Sequence, residues 1–252
     1  MNEMSVLSES VDIITNDGVI DALLFHPEGE WPGVVMLTDI RGTRPAFEEM
    51  ARRLAEHGYV VLLPNVYYRG GRAPVVDPTL PATDPVARAQ RNTLRSALTP
   101  AAVRADLAAL FAYLENSEFV RGEKIGVVGY CMTGGSAMRA AADFPNVVAA
   151  AASFHGGGLA SDEPDSPHLR AGEIKGRLYF GHADEDASMP AEAIARLEET
   201  LRNNGVRFRS ETYAGARHGF AVPDGAAFNP TAAERNWGNL LELLDEELGE
   251  TG

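Results

Sequence analysis

The sequence predicts an α/β protein with a mainly parallel central sheet, helices on both faces and an antiparallel hairpin at its N-terminal end. Two patterns carry that prediction. Continuous apolar runs such as Gly33–Leu37 and Tyr59–Leu63, which suit strands covered on both faces, alternate with segments of helical spacing. Ahead of them, residues 9–26 hold two apolar runs around Asn16-Asp17-Gly18, a turn signal between antiparallel strands.

In chain order, Pro45 to His57 follows the first buried run with helical spacing and stops at Gly58. Tyr59–Leu63 is then closed by Pro64. Residues 70–95 break the rhythm, because Pro74, Pro78, Pro81 and Pro85 crowd a segment that no regular element tolerates. An irregular excursion over one end of the domain, above the site, is expected there. Thr99-Pro100 supplies an N-cap and a first helical position, and Val103, Leu107, Leu110, Phe111 and Leu114 trace one stripe. A strand over Ile125–Gly129, a small-residue helix over about 132–143 and a strand over Val147–Phe154 come next. The alternation closes with strand Leu178–Gly181, helix 190–203, strand Val206–Thr212 and helix 230–247. Without an internal repeat or a long linker, residues 1–252 are expected to form one domain. Binding sites in such sheets lie beyond the carboxyl ends of the strands.

Composition narrows the function. The 252 residues carry 22 Lys+Arg against 36 Asp+Glu, a net charge of −14, which argues against a nucleic-acid partner. With 45% hydrophobic and 23% charged residues, wholesale disorder is excluded. Apolar runs fall short of the ~20 residues of a membrane helix, so no membrane partner is expected. The opening MNEMSVLSESVDI has neither a basic region nor an apolar core, so it does not read as a secretory signal. A single cysteine forms neither an internal disulfide nor a Cys-rich zinc site. The expectation is a cytoplasmic monomer or small homo-oligomer acting on a small molecule, with no metal and no cofactor.

The chemistry centres on Gly129-Tyr130-Cys131-Met132-Thr133-Gly134, where a buried strand runs straight into a helix of small residues. Strand, sharp turn and helix make a nucleophile elbow, here with cysteine at its tip. A residue in such a strained position needs small neighbours, and the following helix N-terminus favours a thiolate and offers N–H groups to an oxyanion. The same glycines mimic a phosphate-binding loop, but Gly135 stands where that loop needs its lysine. A lone cysteine is more often a small buried hydrophobe, and only the elbow context tells against that here.

A thiol nucleophile needs a base, and the base an orienting carboxylate. Tyr213-Ala-Gly-Ala-Arg-His218-Gly-Phe puts a histidine in a glycine-flanked loop after the last strand. His26, His57 and His168 sit among polar or turn residues and read as surface, while His155 and His182 follow strands and are expected to line the site. Gly181-His-Ala-Asp184-Glu-Asp186-Ala-Ser-Met-Pro190 follows the preceding strand and offers Asp184 or Asp186. The order Cys, Asp, His matches that of triads on this kind of sheet.

Over residues 12–245 the chain resembles the dienelactone hydrolases, within the α/β-hydrolase fold. The resemblance rests on Gly-Tyr-Cys131-Met and its glycines, Asp186-x-x-x-Pro190 and Gly-x-x-His218-x-Phe220. It implies Cys131 as nucleophile, His218 as base and Asp186 as orienter, with Asp184 the fallback. It also implies that Asp39, in Thr38-Asp39-Ile40-Arg41-Gly42, holds the resting thiol, and that the amides of Ile40 and Met132 form the oxyanion hole. Arg69, in Pro64-Asn65-Val66-Tyr67-Tyr68-Arg69, would hold a substrate carboxylate, with Tyr130 a further substrate contact. Two positions depart from the family pattern. Thr133 replaces a common glycine, so a looser or shifted turn is expected. Val222 replaces a second substrate-binding arginine, for which Arg41, Arg72 or Arg217 would compensate. The activity implied is hydrolysis of an activated ester or enol lactone, of the carboxymethylenebutenolidase type, through a cysteine acyl-enzyme. The alternatives are a carboxylesterase or thioesterase of different acyl specificity, or a catalytically weak relative serving in binding or redox sensing.

Overall fold

The structure is a computed structural model that describes residues 4–77, 79–80 and 83–249. The chain divides into two compact units, Met1–Glu123 and Lys124–Gly252.

In the first unit, β1 (Val6–Thr15) and β2 (Gly18–Pro27) form the expected hairpin, with Thr15 opposite Gly18. Gly18 has φ 139°, open to glycine and rare for other residues, which explains its place at the turn. β3 (Trp31–Leu37) and β4 (Val60–Pro64) are parallel, and β4 also pairs antiparallel with β2, giving the order β1-β2-β4-β3. Helix α1 (Pro45–Ala55) connects them and buries Phe47, Met50 and Leu54.

Residues 85–96 require a correction. Instead of continuing an irregular excursion, they form helix α2 (Pro85–Ser96). Pro85 takes the first turn, where a missing N–H is harmless, and Asp84 Oδ1 accepts from the N–H of Ala87 at 2.8 Å. A proline that resembles a breaker in the sequence starts a helix in the fold. Pro78 and Pro81 lie outside the described residues. Helix α3 (Pro100–Glu115) begins as expected, with Thr99 Oγ1 accepting from the N–H of Ala102 at 3.2 Å. It buries Leu107, Leu110, Phe111 and Leu114, each worth ~1.5–3 kcal/mol of removed apolar surface.

The second unit is a parallel β/α succession. β5 (Val120–Tyr130), which starts at the end of the first unit, leads to α4 (Gly134–Asp143), β6 (Val148–Phe154), β7 (Arg177–Glu185), α5 (Ala191–Asn203), β8 (Phe208–Arg217) and α6 (Pro230–Leu248). The strands lie in the order β5-β6-β7-β8, all parallel. The run Val-Ala-Ala-Ala-Ala-Ser-Phe of β6 leaves little side-chain bulk, so α4, itself rich in Gly and Ala, can pack closely on it. Trp237, Leu240, Leu243 and Leu244 of α6 are buried with Leu178, Tyr179 and Phe180 of β7.

The fold is therefore the expected mixed α/β one: among the described residues, eight strands, mostly parallel, with an antiparallel N-terminal hairpin, and helices between them. Two histidines that read as surface in the sequence are not. His26 is buried and stacks on Phe119 at 3.7 Å, and His168 is buried with Nδ1 2.8 Å from Ser166 Oγ. Polar sequence neighbours mislead here, because tertiary packing covers both rings. His57 is exposed, as expected. Among the described residues, no single helix is long and apolar enough to cross a membrane.

Candidate active site

The elbow forms at the end of β5. Cys131–Thr133 is one 3₁₀ turn, and α4 starts directly after it at Gly134. Cys131 has φ 58°, a left-handed conformation that costs a non-glycine residue ~1–3 kcal/mol. The neighbours must be small for steric reasons. A Cβ on Gly129 would lie 2.1 Å from the carbonyl oxygen of Thr133. One on Gly134 would lie 2.3 Å from Ser153 Oγ and 2.8 Å from Gly156 Cα.

Thr133 does not loosen this turn, contrary to expectation. Its Oγ1 accepts from the N–H of Tyr130 at 2.9 Å and donates to the Tyr130 carbonyl at 3.0 Å, so the side chain ties the turn to the strand. Met132, half-buried, follows Cys131 within the turn. Tyr130 is fully buried, its ring edge-on to Phe154 at 5.0 Å.

Three strand ends of the second unit converge on Cys131. His218, directly after β8, places Nε2 3.0 Å from Cys131 Sγ, and its Nδ1 donates to Asp186 Oδ2 at 2.7 Å. Asp186 follows β7. Its Oδ1 accepts from the Ser188 hydroxyl at 2.6 Å and the Ser188 N–H at 2.9 Å, which leaves Oδ2 for the histidine. Asp184 acts elsewhere. Its Oδ2 accepts from the N–H of Gly215 at 3.0 Å and so ties β7 to the end of β8, three residues before His218. Sequence reasoning missed Ser188, although Asp-x-Ser is a spacing at which a serine can bond back to the acid.

The electrostatics favour a charged His218. Burial opposes the charge, but the hydrogen bonds to Asp186 and the Cys131 sulfur outweigh burial and raise its pKa from 6.5 to about 10. Burial likewise disfavours the Asp186 carboxylate, yet His218 and Ser188 together bring it below its ordinary value. A thiol, an imidazole and a carboxylate so aligned can move the sulfur proton to the ring and stabilise the imidazolium that results. His155, buried, lies edge-to-face on His218 at 5.2 Å, and His182 is buried against Phe180. Val222 is also buried.

Arg217, at the end of β8, donates through Nη2 to the carbonyl of Ala226 at 3.4 Å. The remaining residues singled out belong to the first unit. Asp39 accepts from Arg44 Nη1 at 2.7 Å and Nη2 at 2.8 Å, one bond to each oxygen, and Oδ1 also takes the N–H of Arg41 at 2.8 Å. Buried Arg44 had no signal in the sequence beyond its place before Pro45. The carbonyl of Ile40 accepts from Tyr67 Oη at 3.0 Å. Arg69 donates to both oxygens of Asp106 at 2.8 Å and, through Nη2, to Asp17 Oδ2 at 2.7 Å. Its fork thus holds two carboxylates of the protein. Arg72 is likewise bidentate on Asp12, at 2.9 and 2.6 Å. Among the described residues no group of His, Cys, Asp and Glu is arranged to hold a metal ion.

The sequence model of the dienelactone hydrolase family matches residues 20–248. A Synechocystis sp. protein provisionally named a carboxymethylenebutenolidase is 30% identical over 223 residues, 87% of this chain and 88% of its own. The carboxymethylenebutenolidase of Rhodococcus opacus is 29% identical over 223 residues, covering 87% and 83%. A crystal structure from Klebsiella pneumoniae, provisionally described as a dienelactone hydrolase, superposes with a TM-score of 0.84 at 22% identity. It covers 96% of this chain and 99% of that one, and at such identity it speaks for the fold alone.

Proposed function

The chain belongs to the dienelactone hydrolase family, and on that premise we propose that it hydrolyses an activated ester or enol lactone through an acyl-enzyme on Cys131. That it is a hydrolase of this type follows from the family. The cysteine route is our reading, and one observation carries it: His218 bridges the sulfur of Cys131 and the carboxylate of Asp186, at 3.0 and 2.7 Å.

His218 takes the thiol proton, and the thiolate attacks the carbonyl carbon, forming a C–S bond and an oxyanion. The N–H of Met132, the residue after Cys131 in the turn that leads into α4, is the donor for that oxygen. Collapse of the intermediate breaks the C–O bond, and the alkoxide or enolate leaves with the proton from the His218 imidazolium. A water then gives a proton to His218 and attacks the thioester, releasing the carboxylate product and regenerating the thiol. Thiolates suit activated esters, whose leaving groups depart more easily than an amine. An enol lactone is such a substrate.

Hydrolysis of p-nitrophenyl acetate, with mass spectrometry of the quenched enzyme, tests the route. The expected result is an acetyl adduct on Cys131 and loss of turnover by several orders of magnitude in Cys131→Ala. Full activity in that variant would end the proposal. A role in redox sensing is disfavoured by the same observation, since a sensor thiol has no use for a carboxylate-oriented base.

A further inference from the structure

His155 combines three features that packing alone does not explain. It follows the last residue of β6 and has φ 40°, an uncommon conformation for any residue but glycine. Its own N–H still donates to the Gly181 carbonyl at 2.8 Å, so the backbone stays paired toward β7 while the side chain turns away from the strand direction. The imidazole is buried, and among the described residues neither ring nitrogen has a hydrogen-bond partner, a condition that is destabilising for a buried polar group. An apolar residue would avoid that cost, and a glycine would avoid the strain.

What the ring touches gives the reason. Its centroid lies 5.2 Å from that of His218 at 67°, 5.6 Å from Phe220 at 72° and 6.1 Å from Tyr130 at 54°. It thus fills the space between the back of the elbow and the ring of the base. We propose that His155 is a positioning residue for His218, its buried imidazole propping the His218 ring at the tilt that satisfies Cys131 and Asp186 together. A five-membered ring fits this place. A six-membered one would overpack it against Phe220 and Tyr130 and push His218 off one of its two partners. Burial, with the nearby His218 charge adding to it, lowers the pKa of His155 to about 3, so the prop stays neutral beside an imidazolium. His155 touches no reacting atom.

The inference rests on Cys131 and His218 being the reacting pair, and the test separates the two ideas by reading the thiol directly. His155→Gly removes the ring and suits the positive φ. Its iodoacetamide alkylation rate at neutral pH and its kcat for p-nitrophenyl acetate should each fall about ten- to a hundredfold, the usual effect of a misplaced catalytic group. The ultraviolet absorbance of the thiolate should fall with them while KM holds, and added imidazole should restore part of the alkylation rate. Leu243→Ala, a buried position in α6, serves as a control that lowers Tm without touching the pair. Should His155→Gly not fold, His155→Asn replaces it, since asparagine tolerates this backbone conformation. Parental alkylation rate and thiolate absorbance in the folded variant, or losses no larger than those of Leu243→Ala at equal Tm, would overturn the proposal. Failure of the reacting pair itself would show differently, as ester hydrolysis that survives Cys131→Ala.

Discussion

Asp186 holds His218 through a 2.7 Å contact from Nδ1 to Oδ2, made by a carboxylate side chain that is only 4% exposed. The contact fixes the ring's direction, and its second oxygen is fixed in turn by Ser188. Asp186→Asn keeps the shape but loses the charge, and should lower kcat by several orders of magnitude. Asp184→Asn loses the charge but keeps an oxygen able to accept from the N–H of Gly215, and should leave Tm and kcat near normal. Steady-state kinetics of the two variants decide the matter, and the opposite ranking would reject the assignment of Asp186.

The left-handed Cys131 stores strain that glycine relieves. Cys131→Gly should be inactive yet more stable than the parent by ~1 kcal/mol, read as a higher Tm. A lower Tm would mean that contacts of the sulfur outweigh the strain.

The charge on His218 makes stability depend on pH in a stated direction. The folded pKa of about 10 lies above the ordinary 6.5, so the folded chain keeps a proton that the unfolded chain releases. Stability from this source is complete below pH 6.5 and is lost as pH rises through about 10. Thermal melts across that interval should decline, and less steeply in Asp186→Asn. Equal slopes would show that another group titrates.

Arg69 braces the first unit. Its pairing with Asp106, at 2.8 Å, leaves the Arg69 side chain 19% and the carboxylate 13% exposed, so solvent screens it in part. Arg69→Ala should lower Tm and leave the preference between a carboxylated and a neutral ester unchanged, as measured by the ratio of kcat/KM values. Selective loss of the carboxylated substrate would identify Arg69 as its clamp.

The strands, most helices and the identity of the Cys131 turn were legible in the sequence, because each is dictated locally. Apolar runs demand burial on two faces, Thr99-Pro100 caps a helix by its own atoms, and glycines at 129 and 134 leave room for a sharp turn that no larger residue permits. Pro85 marks the limit of such reasoning, since proline breaks a helix or starts one according to whether its absent N–H would have had a partner. Only the tertiary structure decided which acid meets His218, since Asp184 and Asp186 differ by two residues in the chain and both face the end of β8, one at Gly215 and the other at His218. It also decided that Arg69 is engaged by Asp17 and Asp106, Asp39 by Arg44, and that His155 backs His218. These are contacts between residues far apart in sequence or around a turn. Spacing along a chain names the groups able to react, but the distance between two side chains, and the burial that sets their charge, exist only once the chain has folded.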